Sequence, residues 1–187
     1  TEAGPAAPHT AAARTRASRP HGPVQTSLLL RETMNLSDEL TIPAPRARVY
    51  EALQDPEILR RCIPGCEELT KVSDTDLEAK VALKIGPIKA RFSGNVTLNP
   101  ENPPQRFSLT GEGNGGIAGF AKGGADVELV EDGQQTILRY TAKAETGGKL
   151  AQLGGRLITS TAKKLSKMFF EKFEKVMSGE AELEEAS

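Results

Sequence analysis

With 187 residues the chain has room for one domain of ordinary size and not for two enzyme-sized ones. Its 37% hydrophobic and 26% charged residues support a packed core, and no stretch approaches the ~18 consecutive apolar residues of a membrane-spanning helix. The 24 basic and 25 acidic residues leave a formal net charge of -1, which argues against a nucleic-acid partner held by bulk positive charge.

Residues 1–33 are rich in Ala, Pro, Thr and Arg, show no sustained period and carry too little apolar surface for a core. They read as a disordered extension, an Arg-rich targeting segment or residues ahead of a start at Met34, so the domain is expected over 34–179. Leu36, Leu40 and Ile42 bracket a first strand that ends at Pro43. Pro45 suits the first position of a short helix whose inner face is Val49, Tyr50, Ala52 and Leu53. Asp55-Pro56-Glu57 starts a second helix, with Asp as the cap, Pro in the first turn and an acid near the N-terminus; it stops at Pro64-Gly65.

About six strands follow the first in this reading. Leu77, Ala79, Val81, Leu83 and Ile85 alternate with Glu78, Lys80 and Lys84, the period of a half-buried strand. Gly86-Pro87 turns the chain, and the return strand sets Ile88, Ala90, Phe92, Gly94, Val96 and Leu98 against polar neighbours. Phe107 and Leu109 open a strand that runs into the glycine-rich stretch 111–124. Ala125, Val127 and Leu129 lead to the Asp132-Gly133 turn, and Leu138, Tyr140, Ala142 and Ala144 complete the last strand. After Gly147-Gly148 the period becomes helical, from Leu150 through Leu157, Ile158, Leu165, Phe169 and Phe173 to Val176, with Gly179 placed as the C-terminal cap. Such a helix of about 27 residues is ~40 Å long. The acidic tail 180–187 is expected to fray.

A curved antiparallel sheet gripping one long helix buries both apolar faces, an α+β arrangement. Its inward set includes Ala79, Ala90, Gly94, Ala142 and Ala144, too small to fill a deeply curved sheet, so the concave face reads as a ligand cavity. The alternative is that Phe92, Phe107, Tyr140 and the helix close the gap completely. The wall is expected to be made by Val81, Leu83, Phe92, Val96, Phe107, Leu109, Tyr140, Ala142 and Leu157, with Phe120 either at the mouth or in the core.

Chemistry-bearing motifs are few. His9 and His21 both precede Met34, so no histidine-based catalytic or metal site can form inside one copy of the domain. Cys62 and Cys66 are too few for a disulfide framework and point to a reducing, cytoplasmic setting; they read as thiols flanking a Pro-Gly turn at the cavity rim. GEGNGG has the form G-x-G-x-x-G, yet Gly119, Gly123 and Gly124 forbid the helix whose N-terminus a dinucleotide phosphate needs. A bent strand pair is the better reading. Glu112, Asp126 and Glu128 alternate away from the apolar face, and the Tyr140 hydroxyl either meets a ligand or finds a partner in the core. The glycines at 147, 148, 154 and 155 serve as a hinge or as close helix–sheet packing. At 100° per residue, Lys149, Arg156, Lys163 and Lys167 fall within roughly 40° of one another, as a solvated face or as a docking strip for anionic headgroups or an acidic partner.

IPAPRARVYEALQDPEILRRCIPGCE, GPIKARFSGNVTL, GEGNGGIAGFAKGGADV and GGKLAQLGGRLITSTAKKL, in that order, resemble the G-subunit family of carbon monoxide dehydrogenase. The resemblance runs from about Met34 to Gly179. It implies the helix-grip fold of the START/Bet v 1-like (SRPBCC) superfamily and a hydrophobic cavity. It further implies an accessory role beside a molybdenum-containing carbon monoxide dehydrogenase or related hydroxylase, with recruitment of that enzyme to the membrane. Some members carry a C-terminal hydrophobic extension; with Ser187 closing an acidic tail, permanent anchoring of that kind is not expected here.

The expectation is therefore a non-catalytic, cytoplasmic or inner-face peripheral protein with no covalent cofactor and no metal, carrying a quinone or another lipophile. Two alternatives stand beside it: a superfamily enzyme of cyclase or hydrolase type, and a recruitment adaptor without ligand.

Overall fold

A computed structural model describes residues 31–179; the expectations for residues 1–30 and for the tail from 180 onward lie outside the described residues. The elements in chain order are β1 (Arg31–Ile42), α1 (Arg46–Ala52), α2 (Pro56–Cys62), β2 (Cys66–Lys71), β3 (Asp76–Ile85), β4 (Ile88–Asn102), β5 (Arg106–Asn114), β6 (Phe120–Asp132), β7 (Gln135–Gly147) and α3 (Gly155–Ser178). The strands form one antiparallel sheet in the order β1-β7-β6-β5-β4-β3-β2. The expected helix-grip architecture is present: the sheet curves around α3, and α1 and α2 fill the connection between the two edge strands.

Local chemistry sets most of the boundaries. Asp55 caps α2, its carboxylate accepting from the backbone N–H of Glu57 at 2.9 Å and of Ile58 at 3.5 Å, with Pro56 behind it. The glycines of the two tight hairpins, Gly86 and Gly133, sit at φ 58° and 63°, the left-handed region that a side chain disfavours. Gly179 ends α3 at φ 80°.

Four boundaries differ from the sequence expectation. Residues 31–33, assigned to the N-terminal extension, pair with Gly147, Thr146 and Glu145 as the start of β1; backbone pairing needs no apolar side chain, so hydropathy does not mark it. Pro45 lies one position before α1. The strand β2 has no counterpart in the alternation, because an edge strand that pairs only with β3 and leaves most of CEELTK exposed has no period to read. Finally, α3 has 24 residues rather than about 27: a 3-10 turn at Ala151–Leu153 and the break at Gly154 precede it, shortening the helix to ~36 Å.

Two packed clusters hold helix and sheet together, one toward each end of α3. The larger joins Ile42, Val49, Cys62, Phe107, Leu129, Leu138, Phe173 and Met177. The smaller joins Phe92, Ala118, Leu150 and Ile158, with Leu83, Ile85, Ile88 and Leu153 packed around them. Phe173 is 0% exposed and lies 5.9 Å from the Phe169 ring, stacked at 11°. Phe173→Ala is expected to cost ~3–5 kcal/mol in denaturant unfolding, as for a large aromatic removed from a closed core. A cost within the ~0.5 kcal/mol typical of surface changes would show that this end of α3 is not the anchor.

Candidate functional site

Between the two clusters the helix and sheet enclose a space. The register explains why: it lines up small inward-facing residues from strand to strand. Ala79 lies opposite Gly94, Gly94 opposite Gly113, and Gly113 opposite Ala121. In the next inward row Val96 faces Gly111, Gly111 faces Gly123, Gly123 faces Ala144, and Ala144 faces Met34. One row further on, Ala125 faces Ala142. The result is a belt with little side-chain volume, spanned by α3.

The cavity so left has a volume of about 530 Å³, within the ~300–1,000 Å³ usual for small-molecule sites. Its floor is the belt; Val81, Leu83, Ile85, Phe92, Val96 and Leu109 stand around it. Ile63 and Pro64 close one side, and Leu150, Ile158, Thr161, Ala162 and Leu165 form the roof. Asn95, Glu112, Lys122 and Lys143 also border it, but these residues are exposed and alternate toward the outer face, so the wall is almost wholly apolar. A second, open depression of about 760 Å³ reaches onto the outer face over Thr33, Asn35, Thr97, Thr110 and Glu145, and its lining is mixed polar and apolar.

Close strand approach fixes the floor. A Cβ at Gly123 would lie 2.1 Å from the Lys143 carbonyl oxygen, and one at Gly94 would lie 2.3 Å from that of Glu112. These glycines therefore permit the bend as well as the space. The stretch 111–124 is a bent strand pair with a 3-10 turn at Gly116–Ala118, and no helix follows it to receive a phosphate. The glycines at 147 and 148 pack closely: a Cβ at Gly148 would be 2.8 Å from Gly119 Cα.

Six of the ten residues anticipated for the wall line this cavity: Val81, Leu83, Phe92, Val96, Leu109 and Ala142. Four do not. Phe107 belongs to the larger cluster, with its ring edge-on to Tyr50 at 5.6 Å. Tyr140 stacks on Phe170 at 5.4 Å, and burial raises its pKa while its hydroxyl shares a hydrogen bond with Ser166. Phe120 falls in the row of Asn114 and Gly147, one residue out of phase with Ala121, and so packs over Gly147 on the other face of the sheet. Leu157 lies over the Gly86 turn, at the edge of the helical stripe from which Ile158, Thr161, Ala162 and Leu165 line the cavity. Ile63 and Pro64 carry no sequence signal for the wall, because they sit in a turn where no period marks an inward side chain; Leu150, first of the apolar helical period, reaches the roof from the turn before α3.

The thiols are poor nucleophiles. Cys62 is buried in the larger cluster, and burial pushes its pKa up to about 11; Cys66 is half-buried and its pKa is raised for the same reason. No group of three or more His, Cys, Asp or Glu side chains that could hold a metal occurs among the described residues. The basic strip is shorter than expected. Arg156, Lys163 and Lys167 are exposed along α3, with Lys167 3.9 Å from Glu171, whereas Lys149 lies in the turn before the helix.

Lys149 instead joins another end of the molecule. The turn before α3 is tied to the 3-10 turn by the Leu150 N–H donating to the Ala118 carbonyl at 3.0 Å. Beside that bond Ile117 is 82% exposed. The β3–β4 hairpin packs onto the same cluster and carries Lys84 directly opposite Lys89, a like-charge pair.

Residues 39–178 match the profile of the family described as the G-subunit of carbon monoxide dehydrogenase (CoxG). Comparison with curated proteins gives no match. Among solved structures, a conserved protein from Geobacillus kaustophilus is 29% identical, covering 78% of this chain and 96% of its own, with a TM-score of 0.73. A START superfamily protein from Mycobacterium smegmatis is 12% identical over 78% and 97% of the two chains, TM-score 0.61. The Zhui aromatase/cyclase from Streptomyces sp. R1128 is 12% identical over 78% and 96%, TM-score 0.53. The last two share the fold.

The floor makes a direct prediction. Gly123→Ala should destabilise by the ~1–3 kcal/mol of an overpacked site, while Gly113→Ala, whose Cβ would meet nothing nearer than Phe92 Cβ at 3.9 Å, should leave the unfolding midpoint nearly unchanged. Equal effects would mean the floor is slack. For the thiols, iodoacetamide at pH 8 should modify Cys66 in the folded chain and Cys62 only after denaturation, read by peptide mass spectrometry.

Proposed function

The chain belongs to the CoxG family of carbon monoxide dehydrogenase, and we propose that it is a non-catalytic accessory protein that carries a lipophilic molecule for a molybdenum-containing carbon monoxide dehydrogenase or a related hydroxylase. The observation that carries this reading is the apolar cavity of about 530 Å³ between the sheet and α3. Burying a lipophile there removes its apolar surface from water at ~25 cal/mol per Å², the usual driving force for such sites. A quinone fits both halves of the argument. It is flat and apolar apart from its ring oxygens, and it accepts the electrons that an enzyme oxidising carbon monoxide must pass on. Catalysis by the chain itself has no support in the wall, since the ionisable residues that border the cavity present their side chains to the outer face.

The same reading places the protein at the inner face of the membrane as a peripheral partner. No helix among the described residues is long and apolar enough to cross a bilayer. Support comes from the end that carries Ile117, where an exposed apolar side chain is accompanied by Lys84, Lys89, Lys149 and Arg156, all exposed. An exposed apolar side chain on an end that also carries exposed basic residues suits anionic headgroups.

Ala142→Phe tests the carrier reading. Its new ring would occupy ligand space, so binding of a quinone probe should be lost while thermal stability holds or rises. A loss of stability, with no quinone or other lipophile bound by the parent chain, would remove the carrier and leave a recruitment adaptor. Separately, replacing Lys84, Lys89, Lys149 and Arg156 with Gln should abolish sedimentation with phosphatidylglycerol vesicles at low salt, and high salt should have the same effect. Undiminished vesicle binding would return these residues to an ordinary solvated surface.

A further inference from the structure

We infer that Thr161 is the polar contact that orients the ligand, so that the cavity selects lipophiles with an oxygen acceptor at one end over hydrocarbons of the same shape. This rests on the carrier reading above and adds to it the chemistry of recognition. The roof of the cavity is the α3 face made by Ile158, Thr161, Ala162 and Leu165, at the i, i+3, i+4, i+7 spacing of one helical stripe. Three of those four positions are aliphatic. A valine at 161 would have the same shape and would continue the stripe, yet a hydroxyl stands there.

That hydroxyl has no hydrogen-bond partner among the described residues, although its neighbour Ser160 donates to the Leu157 carbonyl at 3.0 Å. Nor is it sealed away: among the described residues the buried side-chain polar atom without a partner is Arg46 Nε, so the Thr161 oxygen keeps accessible area on a residue that lines the cavity. The other threonine of the wall, Thr146, is engaged with the Glu32 carbonyl at 3.5 Å. The backbone groups of the glycine floor are paired in the sheet ladders. Thr161 is therefore the side chain in an apolar wall with a proton to donate and nothing in the protein to receive it. Leaving a hydroxyl unpaired under a bound ligand is unfavourable, and a ligand oxygen that accepts its proton removes that cost. A few polar groups in an otherwise apolar pocket are the ordinary means by which such sites fix orientation.

The experiment compares two probes of one shape, 2-methyl-1,4-naphthoquinone and 2-methylnaphthalene, titrated by calorimetry into the full chain and into Thr161→Val and Thr161→Ser. Thr161→Val should weaken the quinone by about three- to tenfold, the loss expected for one neutral hydrogen bond, and should leave the hydrocarbon unchanged or slightly tighter. Thr161→Ser should retain the quinone affinity. Unchanged quinone binding in Thr161→Val, or an equal loss for both probes, overturns the role of Thr161 while the carrier reading stands. If the parent chain binds neither probe, the carrier reading falls and this inference falls with it.

Discussion

The structure depends on a steric constraint: the central strands approach so closely that several inward positions admit no side chain. At Gly94 and Gly123 a Cβ would overlap a neighbouring carbonyl oxygen, at 2.3 and 2.1 Å. Because pairing puts Gly94 beside Gly113 and Gly123 beside both Gly111 and Ala144, these positions merge into a continuous belt across the sheet. The belt does two things at once. It lets the sheet bend around a helix, and it withholds the side chains that would otherwise fill the bend.

The empty belt is tolerable because the ends are well packed. Phe173, Leu129, Leu138 and Met177 lock one end of α3 to the sheet and to α1 and α2; Phe92, Ala118, Leu150 and Ile158 lock the other. A helix packed at both ends can close onto the middle only by disrupting those close-packed contacts. The glycine contacts near α3 serve the second anchor. Gly115 leaves room for the Phe92 ring, which would lie 2.6 Å from a Cβ there, and Gly119 and Gly148 let two turns meet backbone to backbone.

The same geometry separates the polar from the apolar chemistry of the chain. Strand alternation sends Glu112, Lys122 and Lys143 outward while their backbones border the cavity. Lys122 then lies 3.9 Å from Glu145, which also pairs with Arg31 at 2.7 Å. Tyr140 and Cys62 are inward but committed, the first to Phe170 and Ser166 and the second to the larger cluster, where burial holds its thiol protonated. What lines the cavity is thus mainly aliphatic and aromatic surface, with Thr146 and Thr161 among its residues, a composition suited to holding a molecule.

The sequence by itself determined most of the element types and the antiparallel meander, and it left two readings of the concave face, a cavity or a core closed by Phe92, Phe107, Tyr140 and the helix. Those follow from local rules: period two in β3, β4 and β7, period 3.6 in α3, a capping Asp55 before Pro56, and glycines where φ is positive. It also marked Ala79, Gly94, Ala142 and Ala144 as too small for a filled core. Tertiary structure decided which of the larger side chains stand around the space. Phe120 left the wall because pairing with Gly147 set its phase, and a single residue of register exchanges the two faces of a strand. Leu157 left the wall because the Gly86 turn meets it at the edge of the apolar stripe, while Ile158, Thr161 and Leu165 of the same stripe line the cavity. Phe107 and Tyr140 stayed inward but were claimed by aromatic partners far away in the chain, Tyr50 and Phe170. Periodicity specifies the face on which a residue lies; which neighbour it meets there is set by contacts between segments distant in sequence.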